Sequence, residues 1–223
     1  MKLTVIGNYG PYPTKKGSAT SCYLYEDKEK ILLDFGSGSI ANLSSVCDIK
    51  DIDYIYVSHL HFDHTSDLLP LRYLLSDKKK KMKIITQFSN SDYYKVLFDC
   101  PQFEVINVDK NSTLNIGNLK LSFFETVHPV ANLGIKIKGE KTFIYTGDTV
   151  YYNGIEEDLK GADVVLVDAL KGDDFEGPHM RTSEAIKLQQ ELGGTYILTH
   201  RSNYIIDESK DVKVASNLAE YEF

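Results

Sequence analysis

The sequence predicts an α/β protein in which short strands outnumber helices, and three observations carry that expectation. Short runs of apolar, β-branched and aromatic residues recur along the chain, bounded by turn-forming residues. Apolar residues at helical spacing are confined to a few segments, each lying between two such runs. No repeat, low-complexity tail or Pro/Gly/Ser linker divides the 223 residues, so a single domain spanning 1–223 is expected. Two sheets packed together with helices outside, a four-layer α/β/β/α plan, fit this pattern, although periodicity by itself leaves the layer architecture open.

Leu3–Ile6, Cys22–Tyr25 and Ile31–Asp34 read as strands, with turn-formers from Gly7 to Gly17 between the first two. Asp53–Val57 alternates apolar and aromatic residues and stops at Ser58. Leu68, Leu71, Leu74 and Leu75 have the spacing of one helix face and predict a helix over Leu68–Leu75. Ile84–Gln87 reads as a strand. Ser91–Phe98 reads as a short helix capped by Ser89 or Ser91, because a serine hydroxyl accepts from amides the first turn leaves free. Strands follow at Glu104–Val108, Leu119–Glu125, Leu133–Ile137, Phe143–Tyr145, Val164–Val167 and Tyr196–Leu198. Thr113–Ile116 faces Leu119–Glu125 across Gly117-Asn118, and such hairpin neighbours predict largely antiparallel pairing. Thr182–Leu192 predicts a helix capped by Thr182 or Ser183 and ended by Gly193-Gly194.

Lys+Arg 25 against Asp+Glu 32 gives a net charge of -7, so an overall basic footprint for duplex nucleic acid is missing. The basic run Lys78-Lys79-Lys80-Lys81-Met82-Lys83 reads more readily as a solvated turn than as a phosphate contact. Cys22, Cys47 and Cys100 are odd in number and contain no CxxC pair, which points to a reducing, cytoplasmic setting. No apolar run has the length of a signal peptide core or a membrane span, so no membrane partner is expected. Tyr9, Tyr12, Tyr151 and Tyr152 could stack on a base, and Gly7, Gly10 and Gly17 form a turn-rich loop without the lysine pattern of a P-loop.

The chemistry concentrates in Ser58-His59-Leu60-His61-Phe62-Asp63-His64, directly after a buried-looking strand. Extended backbone past Val57 would put His59 and His61 on one side, because side chains alternate along a strand. Asp63 and His64 then enter a turn and can face a second point, a geometry that suits two metals side by side. Imidazole nitrogens and carboxylate oxygens are ligands zinc accepts at about 2.0–2.2 Å. A lone histidine is ordinarily a packed or surface residue. Here, however, His128 and His200 each follow a strand-like run, His179 lies downstream of another, and Asp148 ends Phe143–Gly147. Polar groups at strand ends are how scattered residues converge on one site.

On these residues the sequence resembles the metallo-β-lactamase superfamily nearly end to end. The resemblance is carried by Leu33-Asp34-Phe35-Gly36-Ser37-Gly38, His59-Leu60-His61-Phe62-Asp63-His64, Thr126-Val127-His128-Pro129, Thr146-Gly147-Asp148-Thr149 and Leu198-Thr199-His200. Ile6–Pro13 and Pro178-His179-Met180-Arg181-Thr182-Ser183-Glu184-Ala185 are similar to its ribonuclease Z-like branch. The resemblance implies the αββα metallo-β-lactamase fold and two zinc ions, with manganese or iron(II) as alternatives. It implies that His59, His61 and His128 hold one ion and that Asp63, His64 and His200 hold the other. Asp148 would bridge both, and Asp34 would orient a histidine through its other ring nitrogen. The flavodiiron branch carries a glutamate where this chain has His61, which favours zinc hydrolysis over iron redox chemistry.

Only 20 positions separate His128 from Asp148, too few for the long arm of tRNA-processing members. Only 23 residues follow His200, too few for the helical domain of glyoxalase-type thioesterases. Asp67-Leu68 stands where Gly-Leu is usual, a variant of small arm-less members, some of which resemble cyclic-nucleotide phosphodiesterases. Asp168-Ala169 replaces the commoner Glu-Ala. The expected activity is therefore phosphodiester hydrolysis of a small nucleotide, a cyclic one before structured RNA, by hydroxide generated between two metals. Asp63 could accept the proton of that nucleophile, and His179, held by Asp168, could protonate the leaving oxygen or bind phosphate. The alternatives are a ribonuclease Z-like RNA-processing endonuclease and a non-catalytic metal- or nucleotide-binding protein. Arm-less members also resemble homodimers in which the partner chain walls the pocket.

Overall fold

Three strands, β1 (Lys2–Gly7), β2 (Cys22–Glu26) and β3 (Lys30–Leu33), begin the chain as an antiparallel meander. The computed structural model describes residues 1–14, 18–77, 81–200 and 208–223. Helix α1 (Ser39–Leu43) and a 3₁₀ turn (Ile49–Asp51) lead into β4 (Tyr54–Val57). Helices α2 (Phe62–Thr65) and α3 (Leu68–Leu74) lead into β5 (Met82–Gln87), and α4 (Asp92–Phe98) into β6 (Phe103–Val108). The style then repeats. An antiparallel run of β7 (Thr113–Ile116), β8 (Leu119–Glu125), β9 (Leu133–Lys138) and β10 (Thr142–Tyr145) comes first. Helix α5 (Ile155–Leu159) leads to β11 (Val164–Asp168), and α6 (Thr182–Leu192) to β12 (Thr195–Thr199). β13 (Val212–Val214) and β14 (Glu220–Glu222) close the chain.

These elements form two units, one of residues 1–108 with 216–223 and one of residues 109–215. The first unit holds a seven-stranded sheet of order β14-β1-β2-β3-β4-β5-β6. Its helical side packs Leu24, Leu32, Ile55 and Ile84 against Leu43, Leu71 and Leu97. The second unit holds a seven-stranded sheet of order β13-β12-β11-β10-β9-β8-β7, on which Ile144, Val165 and Leu198 pack against Leu159 and Leu188. Each such fully buried side chain stabilises by about 1.5–3 kcal/mol relative to exposure. The inner strands read as continuous apolar runs, the composition of strands covered on both faces.

The expectation of largely antiparallel pairing is corrected. Each sheet is mixed, with antiparallel neighbours in one half and parallel ones (β3–β4–β5–β6 and β10–β11–β12–β13) in the other. Parallel neighbours cannot be joined by a tight hairpin and need a crossover, which the helices after β3, β4, β5, β10 and β11 provide. The cap of α6 also differs. Arg181 is the N-cap, because the Thr182 hydroxyl donates to Ala169 O at 2.6 Å and Ser183 Oγ donates to Asp173 at 2.5 Å. Ser91 is the cap of α4, accepting from Tyr94 N at 3.1 Å. Gly17 and Lys78–Lys80 lie outside the described residues. Among the described residues no helix is long and apolar enough to cross a membrane, and the three cysteines are free.

Candidate metal centre

In the first unit the ligand string begins where β4 ends, and its anchor is Asp34 at the end of β3. Asp34 is fully buried and held at φ 60°, a left-handed backbone uncommon outside glycine. Its N–H donates to Tyr56 O at 2.7 Å, which fixes the strand end next to β4. Its carboxylate accepts from Ser58 N at 2.7 Å and Ser58 Oγ at 2.8 Å, and from His64 Nδ1 at 2.6 Å. Because the Ser58 hydroxyl donates to Asp34, it accepts from His59 Nδ1 at 3.0 Å. One carboxylate thus fixes the tautomer of two histidines, directly for His64 and through Ser58 for His59, and leaves both Nε2 atoms as the unprotonated nitrogens a metal would need.

Glycine at position 36 is required for the same packing. A Cβ there would lie 1.9 Å from Asp63 O, so only glycine lets the loop after β3 run against α2. Phe35 N then donates to His64 O at 2.8 Å. Asp67 completes the brace by accepting from Ile40 N at 2.8 Å, which satisfies an amide at the start of α1. Burial pushes the Asp67 carboxyl above its ordinary value, partly offset by the amides of Ile40, Gly38 and Ser39.

In the second unit His128 follows β8, Asp148 follows β10, Asp168 ends β11 and His200 follows β12. His128 Nδ1 donates to Pro178 O at 3.1 Å, and His179 Nδ1 donates to Asp168 Oδ2 at 2.6 Å. Asp168 Oδ2 also accepts from Thr149 N at 3.1 Å. His200 is 2% exposed, sits at φ 59°, and brings Nε2 to 3.2 Å from Asp148 Oδ2. The His179 and His200 rings stack with centroids 4.4 Å apart. Asp148, Asp168, His179 and His200 offer one ligand atom each within 4.8 Å of one another.

The donor chemistry fits a metal. His59 Nε2 and His61 Nδ1 lie 3.0 Å apart. Ligand atoms on a tetrahedral ion with bonds of about 2.0–2.1 Å are separated by roughly 3.3 Å, so these nitrogens converge as ligands of one ion do. Two histidines with Nδ1 engaged by carboxylate or hydroxyl in one unit, and a carboxylate in range of His200 in the other, are the pattern of oriented metal ligands.

Sequence reading named His59, His61, Asp63, His64 and Asp34, which the first unit gathers at the ends of β3 and β4. It named His128, Asp148, Asp168, His179 and His200, which the second unit gathers at the ends of β8, β10, β11 and β12. It missed Ser58 and Asn132. Asn132 is 3% exposed and its amide donates to Thr146 O at 3.1 Å and Asp148 O at 2.9 Å, and also to Thr126 Oγ1, tying the His128 and Asp148 loops together. Nothing in its local pattern distinguishes Asn132 from a loop asparagine; Ser58, adjoining the histidine string, was the more findable. Tyr151 and Tyr152 turn their hydroxyls to Glu156 and Asp158, the latter at 2.7 Å, and so brace α5.

Residues 30–200 match the sequence profile of the β-lactamase superfamily domain, and the chain belongs to the metallo-β-lactamase superfamily. It is 28% identical over 231 residues to the probable metallo-hydrolase YhfI of Bacillus subtilis, covering 97% of this chain and 94% of YhfI. The crystal structure of YhfI, a metallo-β-lactamase fold protein, superposes with a TM-score of 0.91 at 25% identity, covering 99% of this chain and 98% of that one. The chain is also 23% identical to a ribonuclease Z of Saccharolobus solfataricus, covering 98% of this chain and 94% of that enzyme. A diphosphatase of the PhnP family has the same fold, with a TM-score of 0.77 at 18% identity, covering 100% of this chain and 97% of that one.

Proposed function

We propose that this protein is a metal-dependent phosphodiesterase acting on small nucleotides, cyclic ones foremost, with two zinc ions as its cofactor. The observation that carries the reading is the oriented set of histidines: Asp34 holds His64 and, through Ser58, His59, while Asp168 holds His179. The ligand assignment is the one the family motifs imply. His59, His61 and His128 would hold one ion, Asp63, His64 and His200 would hold the other, and Asp148 would be shared by both. Such a pair supplies an activated water and charge neutralisation on phosphoryl oxygens. The chain's own groups do the rest. Asp63 accepts the proton of the nucleophile, and His179, with Nδ1 committed to Asp168, presents Nε2 to the leaving oxygen.

A small substrate is favoured because the segment between His128 and Asp148 is filled by β9, β10 and a short turn, with no projecting arm. The fold shared with a PhnP-family diphosphatase supports phosphate chemistry. The likeness to ribonuclease Z favours a second reading, an RNA-processing endonuclease. We place the protein in the cytoplasm as a homodimer. Exposed Phe62, Tyr73, Leu74, Phe88 and Val96 on and beside α2–α4 support a covered face in the first unit.

The test is a turnover panel with zinc-loaded protein. Hydrolysis of bis-p-nitrophenyl phosphate and of 3′,5′- or 2′,3′-cyclic nucleotides, with slow cleavage of pre-tRNA, is the expected result. Efficient pre-tRNA cleavage with inert cyclic nucleotides would promote the endonuclease, and metal uptake without any turnover would promote a binding protein.

A further inference from the structure

One carboxylate oxygen of the second unit lacks the partner that its burial calls for. Asp168, at the end of β11, is 1% exposed, and its Oδ2 accepts from His179 Nδ1 at 2.6 Å and from Thr149 N at 3.1 Å. Its Oδ1 has no hydrogen-bond partner among the described residues. The group that Oδ1 faces is His200, whose Nδ1 lies 3.8 Å away. The His179 and His200 rings stack at 26° with centroids 4.4 Å apart, so the two oxygens of one carboxylate meet the Nδ1 atoms of two stacked rings. The His200 ring carries its Nε2 to 3.2 Å from Asp148 Oδ2.

Strand register brings these groups together. β11 and β12 run parallel with Asp168 opposite Thr199, so the carboxylate at the end of one strand reaches the residue that follows the other. The first unit uses the same device. There β3 runs parallel to β4, and Asp34 serves His64 directly and His59 through Ser58. An ionised carboxylate accepts through both oxygens, and leaving one of them buried and unpaired is costly. An N–H···O bond spans about 2.7–3.2 Å, so the contact with His200 is an approach and not yet a bond. An ion on Nε2 makes the Nδ1 N–H a stronger donor to a carboxylate, which would give Oδ1 its partner.

We infer that Asp168 is a positioning residue for His200 as well as for His179, fixing His200 as the tautomer with Nδ1 protonated and Nε2 free for an ion. This rests on the reading of His200 as a metal ligand. One carboxylate then sets the direction of a ligand and of the proton-donating histidine together. Its effect on metal binding is separate from its effect through His179, and the two can be measured apart.

The experiment measures zinc affinity by chelator competition in wild type, Asp168→Asn, His179→Ala and His200→Ala. It also follows the ring nitrogens of the zinc-saturated proteins by NMR with isotope-labelled histidine, of which the chain has six. His200→Ala identifies the His200 signals and is expected to lose an ion, whereas His179→Ala should keep the wild-type affinity. Asp168→Asn should bind zinc about 10–100-fold more weakly than His179→Ala does. Its His200 Nδ1 proton should also leave the downfield position of a proton shared with a carboxylate. Wild type by itself must show His200 protonated on Nδ1, and a ring protonated on Nε2 would overturn the proposal whether or not the variants fold. Asp168→Asn with the zinc affinity of His179→Ala would overturn it too, as would loss of an ion in both variants, which would make both residues ligands. A His200→Ala protein with wild-type zinc affinity would remove the ligand reading and the proposal with it. Failure in Asp168→Asn alone would leave that reading standing.

Discussion

Asp34 concentrates more of the candidate site's organisation than any metal ligand does. Its carboxylate is the shared acceptor for Ser58 N, Ser58 Oγ and His64 Nδ1, and it is fully buried. Asp34→Ala would leave His64 free to rotate and His59 with a hydroxyl that no longer has a fixed direction. Zinc affinity should fall about 10–100-fold, measured by competition with a chromophoric chelator. An unchanged affinity would mean that the ligands are held by packing alone. The roles of the other groups separate by a different pair of measurements. Asp63→Ala and Asp148→Ala should abolish phosphodiester hydrolysis, whereas His179→Ala should cripple turnover by about 10²–10⁴-fold with metal content intact, as expected for loss of a general acid. Elemental analysis showing metal loss in His179→Ala would move that residue into the ligand set.

At the scale of elements, short helices position the ligands by bracing one another. The Asp67 side chain, at the N-cap of α3, makes no cap bond to its own helix and instead accepts from Ile40 N of α1. Burial raises its folded-state pKa above the unfolded value. A carboxyl so shifted takes up its proton more readily when folded. Its contribution to stability is present below the ordinary carboxylate value and is lost as pH rises through the raised one. Wild type should therefore lose stability relative to Asp67→Asn across that interval, read as urea midpoints from acid pH to neutrality. Parallel midpoints would show that Asp67 titrates as a solvated group does. Periodicity captured the elements that carry apolar faces, such as Leu68–Leu75 and Thr182–Leu192. It did not capture α1 and α5, whose five residues each are too few for a periodic pattern, or the parallel pairing, which depends on where crossover helices return the chain.

At the scale of the whole molecule the first quantity to measure is metal content. Elemental analysis of purified protein should give about two ions per chain, zinc foremost. A chelator should lower the unfolding temperature, because ligands that bind only the folded state stabilise it by mass action. Protein that holds no metal and takes up none from zinc would remove the basis of the functional reading. Light scattering tests the assembly: a particle of 25.2 kDa, the mass of one chain, at working concentration would refute the homodimer.

Candidate ligands could be named from the sequence because metal chemistry admits few residue types and the string from His59 to His64 places four of them within six positions. The superfamily was legible for the same reason, since Asp34, His128, Asp148 and His200 each sit at the end of an apolar run. Beyond Asp34 and Asp168, the groups that brace those candidates were not legible. Ser58 relays Asp34 to His59, and Asn132 joins the His128 and Asp148 loops. These are hydrogen bonds whose direction depends on how strands and loops pack, and a local pattern of residue types does not encode that direction. Chemistry is set by which atoms a residue carries, and orientation by which neighbours folding brings to it.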